Sequence, residues 1–220
     1  METGEWALTV GFDLDMTLID SRAAIGAVYD LLAAETGVSI DSALAVSRLG
    51  PPVEVELANW FPPDGVRAAA DRYRLLYREH GASAVRLLPG AREAVAAVRE
   101  HGGRIVVVTG KHGPNAELNL AAVDLRVDAV VGSVFGVEKG PVLREHGASV
   151  YVGDHLGDIA AARAGGALSV TVATGPYRPH ELRDGGCDVS LGDLTQFPGW
   201  LGGHVAALRA AGERPAATAP

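Results

Sequence analysis

Five short segments of the chain are continuously apolar and rich in valine. Such segments lack the alternation of polar and apolar residues that marks a half-exposed strand, so they predict parallel strands buried on both faces of a sheet. The predicted strands span residues 7–13, 104–109, 127–133, 149–154 and 168–174.

Four stretches between these strands predict helices, and glycine follows three of them. They cover residues 91–101, 114–123, 140–146 and 156–164. Strand and helix therefore alternate along the chain, which implies right-handed crossovers between parallel strands. We predict an α/β fold with a Rossmann-like, doubly wound parallel sheet and helices on both faces.

The interval 19–84 interrupts this alternation, because it contains no convincing strand and reads as several helices. Ile25, Val28, Tyr29 and Leu32 recur at helical spacing, and a similar pattern follows Asp64. Five aromatic residues, interpreted mainly as packing residues of a small core belonging to the insert, are Tyr29, Trp60, Phe61, Tyr73 and Tyr77. The expected organisation is an α/β core of residues 1–18 plus 85–211, a helical cap of residues 19–84 inserted after the first strand, and a flexible tail of residues 212–220.

Composition excludes several classes of protein. The chain has 220 residues, of which 48% are hydrophobic, and its single Cys187 excludes a disulfide framework. No apolar run approaches the roughly 18 residues of a spanning helix, and the first ten residues lack the basic start of a secretory signal. With a formal charge of -8, neither nucleic acid nor a membrane is an expected partner. We expect a cytoplasmic protein that acts on a small molecule; the oligomeric state stays open.

Two carboxylates stand at the end of the first predicted strand. Asp13 and Asp15 are two residues apart, a spacing that directs both side chains to the same side. In an open α/β sheet, this position faces the crevice beyond the carboxyl ends of the strands. Two carboxylates about 4 Å apart repel by roughly 4 kcal/mol at an effective dielectric near 20. Either a cation lies between them or one of them holds a proton.

A second acidic pair, Asp154 and Asp158, follows the fourth predicted strand in the segment GDHLGD. A separation of four residues places both side chains on one face of the following helix. Asp158 alone could equally well cap that helix. Carboxylates that converge on one crevice form a hard-oxygen site, and Mg²⁺ suits it better than Ca²⁺ because the EF-hand spacing is absent.

The second predicted strand ends in Thr109, Gly110 and Lys111 just before a helix. A hydroxyl, backbone amides and a helix N-terminus are typical of an anion-binding loop. Lys139 follows the third predicted strand and would reach the same edge of the sheet. Lys111 and Lys139 are the only lysines among 19 basic residues.

This ordered set of motifs resembles the haloacid dehalogenase-like (HAD) hydrolase superfamily, whose first motif is Asp-x-Asp-x-Thr. The helical insert is similar to the cap of the subgroup that contains phosphoglycolate phosphatases and β-phosphoglucomutases. Two positions depart from the family pattern: Met16 stands where glycine is usual, and Gly110 replaces the commoner Asn or Ser.

The resemblance implies a role for each motif residue. Asp13 would be the nucleophile that forms an aspartyl-phosphate, and Asp15 the general acid and base. Thr109, Gly110 and Lys139 would hold the phosphate. The residues expected to hold Mg²⁺ are Asp13, the backbone carbonyl of Asp15, Asp154 and Asp158. Lys111 is a possible outer-shell group.

We therefore expect an enzyme, a Mg²⁺-dependent phosphatase of a small phosphorylated metabolite that is similar to phosphoglycolate phosphatases. Two alternatives stay open: a phosphohexomutase similar to β-phosphoglucomutase, and a non-catalytic phosphate-binding or scaffold protein that kept the fold. Arg48 and His155 are weaker candidates for substrate contacts. Fingerprints of nucleoside triphosphate and dinucleotide binding are absent from the sequence.

Overall fold

A computed structural model describes residues 8–212 of the chain. Its main element is a sheet of six parallel strands in the order β5-β4-β1-β6-β7-β8. These strands are β1 (Thr9–Phe12), β4 (Arg104–Val108), β5 (Ala129–Val131), β6 (Val150–Gly153), β7 (Leu168–Val172) and β8 (Val189–Leu191). The strand β1 lies in the interior of the sheet, so residues that follow it reach the middle of the carboxyl edge.

Apolar side chains cover both faces of this sheet. In β4, Ile105 and Val107 pack into the larger of two buried clusters, whereas Val106 and Val108 pack into the smaller one on the opposite face. This division follows from the two-residue side-chain period of a strand. The helices that supply the remaining core contacts are α5 (Ala91–Glu100), α6 (Gly113–Ala122), α7 (Lys139–Glu145), α8 (Leu156–Gly165), α9 (Pro179–Asp184) and α10 (Phe197–Ala210). The predicted Rossmann-like α/β fold is confirmed.

The helical insert, defined here as residues 21–84, follows the first strand as predicted. Its helices are α1 (Arg22–Thr36), α2 (Ser42–Ser47), α3 (Val53–Leu57) and α4 (Val66–Leu76), and a π-helical turn (Tyr77–Gly81) continues α4. The prediction of a separate small core was wrong. Tyr29, Tyr73 and Tyr77 belong to the same buried cluster as β1 and β4, because the insert lies directly on the sheet.

A two-stranded ribbon joins the insert to the sheet. The strands β2 (Ile19–Asp20) and β3 (Arg86–Leu87) pair in antiparallel fashion. The expectation of no strand within residues 19–84 was therefore wrong at its first two residues. A strand of two residues is too short to produce a periodic pattern, which explains why sequence reasoning missed it. The domain boundaries at 18/19 and 84/85 stay predictions.

The C-terminal third adds elements that the sequence analysis did not assign, namely β8, α9 and α10. Their apolar residues are few and dispersed: β8 contributes only Val189 and Leu191, and glycines interrupt α10. Most of the predicted flexible tail lies outside the described residues. No helix among residues 8–212 combines the length and apolarity needed to cross a membrane.

Candidate active site

A cavity of about 210 Å³ lies between the carboxyl edge of the sheet and the insert. The loops after β1, β4 and β6 form its floor, and residues of α1, α3 and α4 form its roof. This position is where ligands bind in open α/β sheets. The predicted site residues that line it are Asp13, Asp15, Thr109, Gly110, Lys139, Asp154, His155 and Asp158.

Three carboxylates meet on the cavity floor. Asp13 directly follows β1, Asp154 directly follows β6, and Asp158 lies in the first turn of α8. Each offers one oxygen, and these oxygens all lie within 4.8 Å of one another. All three residues are buried. The parallel strands thus bring together acidic residues that are about 140 positions apart in the sequence.

Lys139, at the start of α7, is the cation among these carboxylates. Its Nζ donates at 2.8 Å to Asp13 Oδ1, to Asp158 Oδ1 and to the hydroxyl of Tyr151. The Tyr151 hydroxyl in turn donates to the backbone oxygen of Val108 at 2.8 Å. All three ammonium donors are used, so the side chain is held in one orientation.

The pKa values of Asp13 and Asp154 are raised, because these groups are buried and one ammonium does not balance three carboxylates. Burial, opposed by Lys139 and reinforced by Asp158, raises the pKa of Asp13 to about 7. Burial and the charges of Asp13 and Asp158 raise the pKa of Asp154 well above its ordinary range. Burial lowers the pKa of Lys139, but Asp13 and Asp158 outweigh this effect and hold it well above its usual value.

This donor set fits a divalent cation. Three ionised carboxylates and one ammonium leave an excess of two negative charges, and buried oxygen ligands without sulfur or nitrogen suit Mg²⁺. Glycines make the arrangement possible: a Cβ on Gly175 would lie 1.8 Å from Asp154 Oδ2, and one on Gly153 would lie 2.3 Å from Asp158 Cγ. Thr17 also fixes Asp154, because its hydroxyl donates to Oδ1 at 2.8 Å.

Asp15 lies apart from the three carboxylates and has its own partners. Its Oδ1 accepts from Ser21 Oγ at 2.5 Å and from Lys111 Nζ at 2.5 Å. Lys111 also donates to the hydroxyl of Tyr77, at 2.9 Å. The Asp15 carboxylate therefore does not join the cation site, and a contribution from its backbone carbonyl stays a prediction. Lys111, expected as an outer-shell group, is the direct partner of Asp15.

Met16 adopts a backbone conformation that favours glycine. Its φ is 61°, and its carbonyl accepts from Thr174 Oγ1 at 2.5 Å. A bulky residue in the left-handed region is an outlier that costs about 1–2 kcal/mol. The turn between the two aspartates thus keeps the shape that glycine would allow, even though methionine occupies it.

The predicted phosphate-binding residues lie beside the carboxylates. Thr109 is buried, and its Oγ1 accepts from the backbone N–H of Lys111 at 3.2 Å, which leaves the hydroxyl proton to donate elsewhere. A Cβ on Gly110 would lie 3.0 Å from the backbone oxygen of Gly50, in the loop between α2 and α3. Gly110 is therefore glycine because the insert approaches its backbone closely.

The two weaker candidates occupy different places. His155 lines the cavity, its Nδ1 accepts from the backbone N–H of Gly157 at 2.9 Å, and burial lowers its pKa. Arg48 forms an ion pair with Glu56 at 2.6 Å and lies over the ring of Trp60. Arg48 is not among the residues that line the cavity, so the structure does not bring it to the site.

Sequence reasoning missed several residues that fix the site. Ser21 and Tyr77 come from the insert, and Tyr151 comes from the middle of β6. The Val-rich context of Tyr151 predicts a buried strand residue, and nothing local indicates that its hydroxyl meets a lysine. Lys111 and Lys139 were singled out by their positions after predicted strands and by the scarcity of lysine in the chain.

Comparison with known proteins adds independent information on this arrangement. The sequence model of haloacid dehalogenase-like hydrolases matches residues 10–163, and a second model of HAD-like hydrolases matches residues 141–194. The chain belongs to the haloacid dehalogenase-like hydrolase family. The first match covers more than half of the chain and includes both acidic pairs, Thr109 and both lysines. The family expected from the motifs is thereby confirmed.

Curated relatives of this hydrolase are phosphatases. A phosphoglycolate phosphatase of Cereibacter sphaeroides is 31% identical over 195 residues, which cover 80% of this chain and 88% of the relative. A phosphoglycolate phosphatase of Haemophilus influenzae is 25% identical over 226 residues, covering 86% of this chain and 95% of the relative. The chain is accordingly a phosphatase of this family.

Solved structures share the fold. A haloacid dehalogenase-like hydrolase from Streptococcus pneumoniae superposes with a TM-score of 0.77 at 20% identity, covering 89% of this chain and 98% of the other. A hydrolase from Pseudomonas syringae gives a TM-score of 0.71 at 19% identity, covering 91% and 99%. At these identities the likeness concerns the fold alone.

Proposed function

We propose that this phosphatase hydrolyses a small phosphomonoester in a Mg²⁺-dependent reaction through a phosphoryl group carried by Asp13. One observation supports the proposal above the others. Asp13, Asp154 and Asp158 are buried together with Lys139 as their shared cation, which leaves two negative charges for a divalent ion to balance.

Asp13, Asp154 and Asp158 would hold Mg²⁺, with the backbone carbonyl of Asp15 as a further expected ligand. When bound, the ion supplies neutralisation of negative charge on the phosphoryl oxygens and on the carboxylates. The remaining catalytic work falls to the protein's own side chains. Phosphoryl transfer depends mainly on positioning and on electrostatic stabilisation, which a buried and rigid site provides.

Asp13 would act as the nucleophile. One of its oxygens attacks phosphorus, the bond between phosphorus and the ester oxygen breaks, and the electron pair leaves with that oxygen. Lys139 holds Asp13 from one side and would exchange one of its three hydrogen bonds for a phosphate oxygen. The Thr109 hydroxyl and the backbone N–H of Gly110 would bind the other phosphate oxygens.

Asp15 would transfer the protons. It would give a proton to the departing ester oxygen, and in the second step take one from the water that attacks phosphorus and releases Asp13. Ser21 and Lys111 both bind Oδ1, which fixes the carboxyl group and leaves Oδ2 to carry the proton. Because Tyr77 of the insert also binds Lys111, the acid is tied to the roof of the cavity. The insert would exclude water during the first step.

Release of inorganic phosphate tests the proposal. The protein is incubated with phosphoglycolate, sugar phosphates and nucleotides, with Mg²⁺ or with EDTA. Phosphoglycolate is the first ester to test because it appears in the names of the curated relatives. We expect Mg²⁺-dependent release from at least one ester, and a loss of about 10³-fold or more in Asp13→Asn. Asp64→Asn, an exposed aspartate outside the cavity, is the matched control.

The same assay separates the alternatives. Conversion of β-glucose 1-phosphate to glucose 6-phosphate without release of phosphate would replace the phosphatase by a phosphohexomutase. Equal activity in Asp13→Asn and the wild type, or no activity on any ester with Mg²⁺, would favour the scaffold.

A further inference from the structure

A group of unpaired polar atoms lies at the roof of the cavity, where α4 of the insert meets the N-terminal end of α6. Among residues 8–212, three buried side-chain nitrogen or oxygen atoms have no hydrogen-bond partner: Arg74 Nε, His112 Nδ1 and Asn115 Oδ1. All three residues line the same cavity as the carboxylates. None of them belongs to the motifs of the sequence analysis.

Folded proteins rarely leave buried polar atoms without partners, because such groups lose their bonds to water and gain none in return. Unpaired atoms dispersed over a protein would be isolated imperfections. Here they are gathered on adjoining parts of one cavity wall. Such a concentration indicates that a bound molecule supplies the missing partners.

The orientation of Asn115 is fixed by the backbone. The residue is 2% exposed, and its Nδ2 donates to the backbone oxygen of Arg74 at 3.3 Å. Reversing the amide would place Oδ1 against the backbone oxygen of Arg74, and neither oxygen can donate. Oδ1 is therefore the amide atom that stays unpaired. Asn115 therefore offers the cavity a hydrogen-bond acceptor from a rigid position.

Arg74 and His112 add to this acceptor. The guanidinium of Arg74 is paired with Glu54 through Nη2 and with Asp71 through Nη1, and Nε is its nitrogen without a partner. Burial and the charges of Arg74 and Arg78 lower the pKa of His112, which favours a neutral imidazole able to donate or to accept. His112 also interacts with the side chain of Asn115, and this contact opposes the lowering of the His112 pKa.

The unpaired acceptor suits a hydroxyl better than a carboxylate. A carboxylate has no proton to donate to Asn115 Oδ1. A hydroxyl group both donates and accepts, and it can therefore satisfy Asn115 Oδ1 and Arg74 Nε together. The cavity volume of about 210 Å³ limits what can bind. The occupant must be small.

We propose that Arg74, His112 and Asn115 form a subsite for hydroxyl groups of the leaving alcohol, so that the substrate is the phosphate ester of a small polyol or sugar. The subsite lines the same cavity as the carboxylates, and it would contact the part of the substrate remote from phosphorus. This inference rests on the proposed phosphatase function, and it adds the class of alcohol that the enzyme selects.

Three esters with the same three-carbon chain test the subsite: glycerol 3-phosphate, n-propyl phosphate and 3-phosphoglycerate. The values of kcat/KM are measured for all three with Mg²⁺. Because a neutral hydrogen bond contributes about 3- to 10-fold, we expect glycerol 3-phosphate to exceed n-propyl phosphate by about tenfold or more. It should also exceed 3-phosphoglycerate.

Two variants test whether His112 and Asn115 cause the preference for glycerol 3-phosphate over n-propyl phosphate. In His112→Phe and Asn115→Leu, the ratio of glycerol 3-phosphate to n-propyl phosphate should fall towards one. The ratio is taken within each variant, so a smaller folded fraction cancels. Asn59→Leu, an exposed asparagine of the insert outside the cavity, should keep the wild-type ratio. A wild-type ratio near one, a ratio unchanged in both variants, or a preference for 3-phosphoglycerate would overturn the proposal.

Failure of the phosphatase function is distinguishable from failure of the subsite. Hydrolysis of n-propyl phosphate with no preference for glycerol 3-phosphate would refute the subsite alone. If none of the esters is hydrolysed, calorimetry of the intact esters on the wild-type protein with Mg²⁺ decides. Binding of glycerol 3-phosphate about tenfold tighter than n-propyl phosphate, lost in Asn115→Leu, would support the subsite without catalysis, and equal binding would refute it.

Discussion

Without a divalent cation, the stability of this protein should fall as the pH rises through the neutral range. The perturbation is the removal of divalent ions with EDTA, followed by unfolding in urea at a series of pH values. Burial and the neighbouring carboxylates raise the pKa of Asp13 from 3.8 to about 7 in the folded state. The folded protein therefore keeps a proton on Asp13 that the unfolded chain has already lost.

The direction and the size of the change in the free energy of unfolding follow from this difference in bound protons. Between about pH 4 and pH 7 the folded state binds one proton more than the unfolded state, so the free energy of unfolding decreases by about 1.4 kcal/mol per pH unit. From about pH 5 to pH 7 the loss amounts to roughly 2–3 kcal/mol. The raised pKa of Asp154 acts in the same direction. Above about pH 7 the contribution of Asp13 levels off.

Two controls test whether the three carboxylates Asp13, Asp154 and Asp158 cause this pH dependence of stability. Asp13→Asn removes the titrating group and should flatten the pH dependence in EDTA. Millimolar Mg²⁺ should raise the free energy of unfolding most at high pH, because it binds the ionised carboxylates. The same pH dependence in the wild type and in Asp13→Asn would refute the reasoning. The comparison is needed because burial lowers the pKa of His112, His155 and His204, which opposes the decline equally in both proteins.

Substitutions at three further positions test other parts of the site. Gly110→Ala should lower kcat/KM by about tenfold or more, since its Cβ would press on the Gly50 oxygen at 3.0 Å and displace the roof; unchanged kinetics would contradict this. Lys111→Met removes the cation that binds Asp15 and should lower kcat by about 10²-fold or more, which stopped-time phosphate assays measure against the wild type. The backbone of Met16 has a φ of 61°, so the Met16→Gly protein should be at least as stable in urea unfolding as the Met16→Ala protein, the reverse of the usual order. A lower stability of Met16→Gly would show that the turn is unstrained.

The carboxyl edge of the sheet was predictable from the sequence because its residues follow apolar segments. Asp13, Thr109 and Asp154 each directly follow a run of buried valines or other apolar residues. Parallel strands end at one edge, so order along the chain is enough to bring these side chains together. The same reasoning placed Lys139 on the correct side of the sheet.

The contacts between the insert and the sheet were not predictable in this way. Tyr77 was interpreted as packing, whereas its hydroxyl binds Lys111 and Asn119 at 2.9 Å. Asn115 belongs to no motif, although its amide oxygen faces the cavity unpaired. Such contacts depend on how segments distant in the sequence approach each other, and local periodicity carries no information on that approach.

Gly110 shows most clearly how the sequence pattern and the structure differ in what they say about one position. From the sequence it is a departure from the family pattern that removes a side-chain contact to phosphate. In the structure it is a position where the loop of Gly50 lies close to the core, since a Cβ there would be 3.0 Å from the Gly50 oxygen. A pattern of residue types indicates which chemistry a site supports, but the shape of its opposite wall decides which side chains have room.

Calorimetric titration of Mg²⁺ into the metal-free protein tests the central claim most directly. We expect one site in the wild type, and loss of binding in Asp154→Asn, which removes one of the three converging carboxylates. Because Asp13 holds a proton in the metal-free state, binding at about pH 6 should release protons, seen as a dependence of the measured heat on the buffer. An absence of Mg²⁺ binding, or equal binding in Asp154→Asn, would contradict the account.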